Sequence, residues 1–251
     1  MSGHSKWHTI KHKKGAADAK RGKLFTKLIK EIQVAARMGG GDITANPRLR
    51  KAVSDAKGQQ MPNDTIDRAI KRGTGELEGT NYDEVVYEGT GPGGTLWMVQ
   101  ALTDNRNRTV AELRKVFEKN GGNLGGGGTA GWAFDRKGVI VLAGDALDEE
   151  RLMELAMEGG AEHYEKDGDN WVVHCELSEL DPLGTVFEEA GIKTESVAPG
   201  YVPKTKKALE GGDAEKCLNL YDALDNHDDT QTSFSDFDIA DDELDRIMAE
   251  A

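Results

Sequence analysis

Apolar residues recur at three- and four-residue steps through Leu24, Phe25, Leu28, Ile29, Ile32, Ala35 and Ala36, which marks an amphipathic helix with one buried stripe. At about 100° per residue, Lys20, Lys23, Lys27 and Lys30 fall in a narrow arc roughly opposite that stripe. Gly39-Gly40-Gly41 stops the helix. Asn46-Pro47 opens a second, with Asn as cap and Pro at the first helical position. Its apolar positions are Leu49, Ala52, Val53 and Ala56, with Arg48, Arg50, Lys51 and Lys57 outward. A third helix follows Met61-Pro62, is capped by Asn63, buries Ile66, Ala69 and Ile70, and ends at Gly73.

Beyond Gly75 the period changes. Residues 84–88 and 95–102 read as strands joined by Gly91-Pro92-Gly93-Gly94. Thr109 and Glu112 have capping-box spacing ahead of a helix through Val110, Leu113, Val116 and Phe117, and a short strand is expected near 132–134. Strands at 139–142, 161–165, 171–176 and 192–197 then alternate with helices at 148–158 and 182–190, a βαββαβ order of the ferredoxin-like kind. A short strand, a helix at 213–225 and a strand at 230–237 complete a second α/β sandwich, with the βαββαβ unit set between its halves. The expected fold is α+β: an N-terminal helical domain and two ferredoxin-like α/β sandwiches, one inserted in the other. The expected boundaries are 1–75 (basic helical domain), 76–135 plus 201–239 (split domain), 136–200 (inserted domain) and 240–251 (acidic tail).

Charge sharpens this division. Residues 1–75 carry 17 Lys and Arg against 6 Asp and Glu, a net +11. The remaining residues carry 15 against 39, a net −24, within a total of −13. Such asymmetry points to a module for nucleic acid or an anionic surface joined to something else. No apolar run is long enough to span a bilayer, and the start of the chain has charge but no apolar core of a secretory signal. Cys175 and Cys217 are far apart and lack metal-ligand spacing, so a reducing cytoplasm is the expected location.

The first 30 residues hold nine of the cations and one acid, Asp18, together with Trp7. Clustered lysines beside an aromatic suit a polyanion that carries stackable bases; a solvated basic tail is the plain alternative. His4, His8 and His12 share an i, i+4, i+8 spacing, but the intervening lysines would repel a cation, so phosphate contact or a solvated arm fits better than zinc. Seven glycines in residues 121–131 imply either a mobile loop or a backbone that closely approaches something. The run lacks the Gly-Lys-Ser/Thr ending of a phosphate loop, which argues against nucleotide hydrolysis. Thr103–Thr109 places Arg106 and Arg108 just ahead of a helix N-terminus, where they could hold phosphate or simply form a polar turn. The Asp-rich stretch including Asp228-Asp229 and Asp241-Asp242-Glu243 reads as solvated surface. No catalytic motif stands out; a metal-dependent nuclease would need clustered carboxylates beside the basic surface, and residues 1–75 have only six, scattered.

Several strings taken in order resemble the YebC/PmpR family: Gly3-His4-Ser5-Lys6-Trp7, the run at 20–27, Asn46-Pro47-Arg48-Leu49-Arg50, Gly91-Pro92-Gly93-Gly94, Thr103 to Thr109, Gly121-Gly122-Asn123-Leu124-Gly125 and Ser235-Asp236-Phe237-Asp238-Ile239. The family pattern has a Gly-Ser-Val type sequence where this chain has Thr129-Ala130-Gly131. The resemblance covers nearly the whole chain and implies the three-domain build. It also implies a non-enzymatic, DNA-binding transcriptional regulator, with a ribosome-associated, ribosomal-RNA-binding translation factor as the alternative. No metal or cofactor is implied, the partner is DNA or ribosomal RNA, and no membrane is involved. The candidate nucleic-acid contacts are His4, Lys6, Trp7, Lys11, His12, Lys13, Lys14, Lys20, Arg21, Lys23, Lys27, Arg48, Arg50, Arg106 and Arg108.

Overall fold

The computed structural model of the chain describes residues 17–250. Three helices come first: α1 (Ala17–Gly39), α2 (Pro47–Gly58) and α3 (Asn63–Thr74). Their shared core is the stripe expected from the sequence, with Ile32, Ala35, Leu49, Val53, Ala56, Ile66 and Ala69 buried together. Asn46 caps α2 by accepting from the Leu49 N–H, and its amide donates to the carbonyls of Ala35 and Gly40, which ties the α1 end to the α2 start. The cap of α3 differs from expectation. Pro62 occupies that position, Asn63 is the first helical residue, and the helix runs to Thr74 before Gly75 closes it at φ 83°. At Gly73 a Cβ would stand 2.4 Å from the Gln33 carbonyl oxygen, so the α1–α3 approach requires glycine.

The next sheet has strand order β3-β1-β2-β9, all neighbours antiparallel, from β1 (Asp83–Thr90), β2 (Leu96–Thr103), β3 (Asn123–Leu124) and β9 (Thr230–Ser235). Helices α4 (Arg106–Lys119) and α7 (Gly211–Asp225) share its core, where Trp97, Val99, Leu113, Phe117, Leu218 and Leu224 are buried. Residues 241–250, expected as part of an acidic tail, form helix α8 (Asp241–Glu250), whose Leu244 and Ile247 belong to the same core. Asn105, not Thr109, caps α4; Thr109 is buried one turn inside.

Between β3 and β8 (Lys207–Ala208) lies the inserted unit: β4 (Phe134–Ala143), α5 (Glu149–Glu158), β5 (Ala161–Asp167), β6 (Asn170–Cys175), α6 (Leu180–Glu189) and β7 (Thr194–Pro203). Its order, β5-β6-β4-β7 with every neighbour antiparallel, is the ferredoxin-like arrangement. Ile140, Leu142, Leu152, Leu155, Val173, Leu183 and Phe187 fill the layer between sheet and helices. Of the short strand expected near 132–134, only Phe134 is extended, as the first residue of β4; residues 132 and 133 belong to the 3₁₀ turn Gly131–Ala133 that leads into it. A separate cluster of Met98, Ala130, Phe134 and Phe234, with Tyr201 against it, packs the two sandwiches together where the chain passes between them.

Candidate nucleic-acid interface

Of the expected contacts, His4, Lys6, Trp7, Lys11, His12, Lys13 and Lys14 lie outside the described residues, as does the Lys20 side chain. The rest divide by what they touch. From Lys23 to Lys30 the lysine stripe of α1 is engaged by the protein itself. Lys23 donates to the Asn226 carbonyl (2.9 Å), Lys27 to the carbonyl (2.7 Å) and carboxylate (3.1 Å) of Asp225, and Lys30 to the Asp228 carbonyl (2.9 Å). These are the residues that lead from α7 into β9, so the stripe docks the helical domain onto the split sandwich.

The hub of this contact is Asp229, which sits in the run expected as solvated surface but is buried. Its Oδ1 accepts from Lys30 (2.7 Å), and its Oδ2 accepts from Arg108 (2.9 Å) and Thr109 (2.7 Å). Burial pushes the Asp229 carboxyl upward, but the hydrogen bonds from Lys30, Thr109 and Arg108 outweigh it and hold the group well below the ordinary carboxylate range. Arg108 also pairs with Asp104, and Arg106 with Asp83 (each 2.8 Å). The turn at 103–109 therefore has a structural use for both arginines, although each guanidinium keeps an exposed side. Arg48 bridges Glu31 and Glu84, joining α1, α2 and β1.

Two expected residues remain open. Arg21 lies over the Phe25 ring at 5.3 Å, and Arg50 donates only to loop carbonyls, 3.1 Å to Thr44. Further cations of the same kind lie outside the expected set of contacts. Arg68, Lys71 and Arg72 stand at i, i+3 and i+4 on α3, exposed and without an acidic partner among the described residues, and Lys57 extends the α2 face of Arg50. Their spacing against Ile66, Ala69 and Ile70 was the available signal.

The glycine run is organised by one acid. Glu88 accepts from the N–H groups of Gly128 (3.0 Å), Ala130 (2.6 Å) and Gly131 (2.8 Å). Burial raises the Glu88 pKa, and these three donors more than reverse it. Glu112, His227 and Asp229 bring three potential metal-ligand atoms together. Both Asp229 oxygens are already engaged by Lys30, Arg108 and Thr109, so the charge a metal would need is balanced by the protein itself. No described helix is long and apolar enough to cross a membrane.

Known proteins place this architecture. Residues 5–76 match the model of the TACO1/YebC protein N-terminal domain, and residues 82–237 match that of the TACO1/YebC second and third domain. A probable transcriptional regulatory protein of Desulforapulum autotrophicum is 54% identical over 247 residues, covering 98% of this chain and 100% of the relative. One from Geobacter sulfurreducens is 51% identical over 248 residues, covering 99% and 100%. The crystal structure of a conserved hypothetical protein from Aquifex aeolicus superimposes with a TM-score of 0.86 at 44% identity, over 92% of this chain and 96% of that one. Two family models that together account for most of the chain, and relatives matched end to end, leave one assignment: the chain belongs to the TACO1/YebC family.

Proposed function

We propose that this protein is a non-enzymatic, nucleic-acid-binding regulator of gene expression, acting on transcription as the names of its relatives state of them. The observation that carries the reading is the segregation of charge. The first 75 residues hold a net +11 in a chain of −13, and Arg50, Lys57, Arg68, Lys71 and Arg72 on α2 and α3 have no acidic partner among the described residues. Cations left unneutralised on one domain of an acidic protein supply phosphate affinity. Phosphate contact is better supported than base reading by a helix in a groove, since a cluster of like charges grips phosphate at any sequence, whereas base reading needs Asn, Gln and Arg side chains poised for base edges.

One feature favours a second reading, a ribosome-associated factor that binds ribosomal RNA. The net −24 of residues 76–251 is repelled by any phosphate within about 8 Å at physiological salt, which hinders wrapping of bare DNA. Mixed protein and RNA surfaces accept both signs. Crosslinking in cells, with sequencing of the DNA and RNA recovered, separates the two. Discrete promoter peaks without ribosomal RNA support the transcriptional reading. Enrichment of one ribosomal RNA region, lost when Lys13, Lys14, Lys20 and Arg21 are neutralised, replaces it with the other.

A further inference from the structure

Trp132 is the most exposed aromatic among the described large hydrophobics, at 67% of its surface. It sits on the 3₁₀ turn Gly131–Ala133, at the edge of the glycine loop. The turn that carries it is held by backbone and side-chain hydrogen bonds. The indole N–H donates to the Thr129 carbonyl (3.2 Å), the Ala133 N–H to the Ala130 carbonyl (2.9 Å), and Lys204 holds both sides of the turn. The Lys204 N–H donates to the Ala133 carbonyl (2.9 Å) and its ammonium to the Trp132 carbonyl (3.0 Å). The turn is fixed a second time by Glu88, which grips the N–H groups of Ala130 and Gly131. The ring is thus presented on a rigid mount with its indole donor already used, leaving its apolar face to offer.

What surrounds it selects the occupant. A Cβ built on Gly126, Gly127 or Gly128 meets nothing within 4 Å, so a flat ligand can approach along the loop without a side chain in its way. Lys204, whose ammonium donates to the Trp132 carbonyl, keeps half its side chain in solvent while contacting Asp135 at 3.5 Å. A flat π-face beside a half-exposed ammonium matches a nucleobase with its phosphate, and suits it better than the greasy side chain of a protein partner.

We propose that Trp132 is a stacking platform for an unpaired nucleobase, so that the target includes a single-stranded or looped segment rather than duplex alone. The inference rests on the nucleic-acid reading above and narrows it, because bases within a duplex are stacked on one another and cannot present a face.

The test uses the full chain and fluorescein-labelled 20-nucleotide RNA, single-stranded and as a duplex of the same sequence, titrated by anisotropy. W132A should weaken single-strand binding by about five- to a hundredfold and leave the duplex affinity within about twofold. W132F, which keeps an aromatic face, should recover most of the loss, and the salt slope should stay unchanged because stacking releases no counterions. Equal single-strand affinity of W132A and wild type overturns the proposal. Loss on single strand and duplex alike, or a lowered thermal midpoint of W132A, assigns the residue a structural role and overturns it too. A wild-type chain that binds neither RNA form nor DNA fails the regulator reading itself, a distinct result.

Discussion

Removing the Asp229 carboxylate, as in Asp229→Ala, should undock the helical domain from the split sandwich. The Lys30 and Asp229 side chains are 8% and 4% exposed and meet at 2.7 Å. Removing one member of such a buried pair costs about 3–5 kcal/mol, chiefly because the other charge stays buried without its partner. Lys30 would keep the Asp228 carbonyl at 2.9 Å and a long contact to Leu102, and Arg108 would keep Asp104, so the low end, about 3 kcal/mol, applies. Lys30→Met should cost less, about 1–2 kcal/mol, because Asp229 retains Arg108 and Thr109. The double variant Lys30→Met/Asp229→Leu should recover to within about 1 kcal/mol of wild type, since an apolar pair of similar volume leaves no buried charge. Urea denaturation followed at 222 nm gives the cycle, and hydrogen exchange of α1 and residues 225–230 locates it. The folded-state pKa of Asp229 lies below its unfolded value of about 3.9, so its contribution is complete above that pH and is lost as pH falls towards the folded value. Wild-type stability should therefore drop below about pH 4, and Asp229→Asn should flatten that drop. A cost under about 0.5 kcal/mol for Asp229→Ala, with exchange unchanged, refutes the reasoning.

Two other outcomes concern Glu88 and the two buried thiols. Glu88→Ala should speed hydrogen exchange at residues 126–131 by about ten- to a hundredfold, because three N–H groups lose a charged acceptor; unchanged exchange would mean the loop is ordered by something else. Cys175, whose thiol burial pushes up to about 11, and Cys217, raised further by the same cause, should resist a thiol reagent in the folded protein and react in urea. Fast labelling of either at neutral pH contradicts their burial.

Much of the fold was written in short-range patterns. The apolar stripe of α1, the Asn46-Pro47 start of α2 and the βαββαβ alternation each depend on residues within one or two turns or strands, where periodicity is a direct record of burial. The destination of the polar residues was less visible. A helical wheel places Lys23, Lys27 and Lys30 opposite the core of their own domain, but it cannot say that Asp225 and Asp229, about 200 positions further on, stand there. For the same reason Asp229 reads as one acid in an acidic run, and α8 as a tail, until β9 and α7 bring them to the core. Thr109 and Glu112 had capping-box spacing, yet Asn105 lies a turn earlier and wins the cap, because Thr109 bonds to Thr103 and Asp229 instead. Trp132 was legible as an aromatic but read as a strand residue; its exposure comes from Glu88 and Lys204, one on each side in sequence and both remote.

The central claim is that cations of the first 75 residues carry nucleic-acid affinity through phosphates. Its most direct test is the salt dependence of binding by the full chain, titrated on duplex DNA and on single-stranded RNA between about 50 and 200 mM salt. If several phosphates are neutralised, log K falls with log salt by about 0.9 per phosphate on a duplex and about 0.7 on a single strand. Replacing Lys6, Lys11, Lys13 and Lys14 by Ala, or separately Arg68, Lys71 and Arg72, should flatten that slope by up to about one unit per contacting residue removed. Replacing the already paired Lys27 should leave it unchanged. A slope that neither set alters would contradict the account.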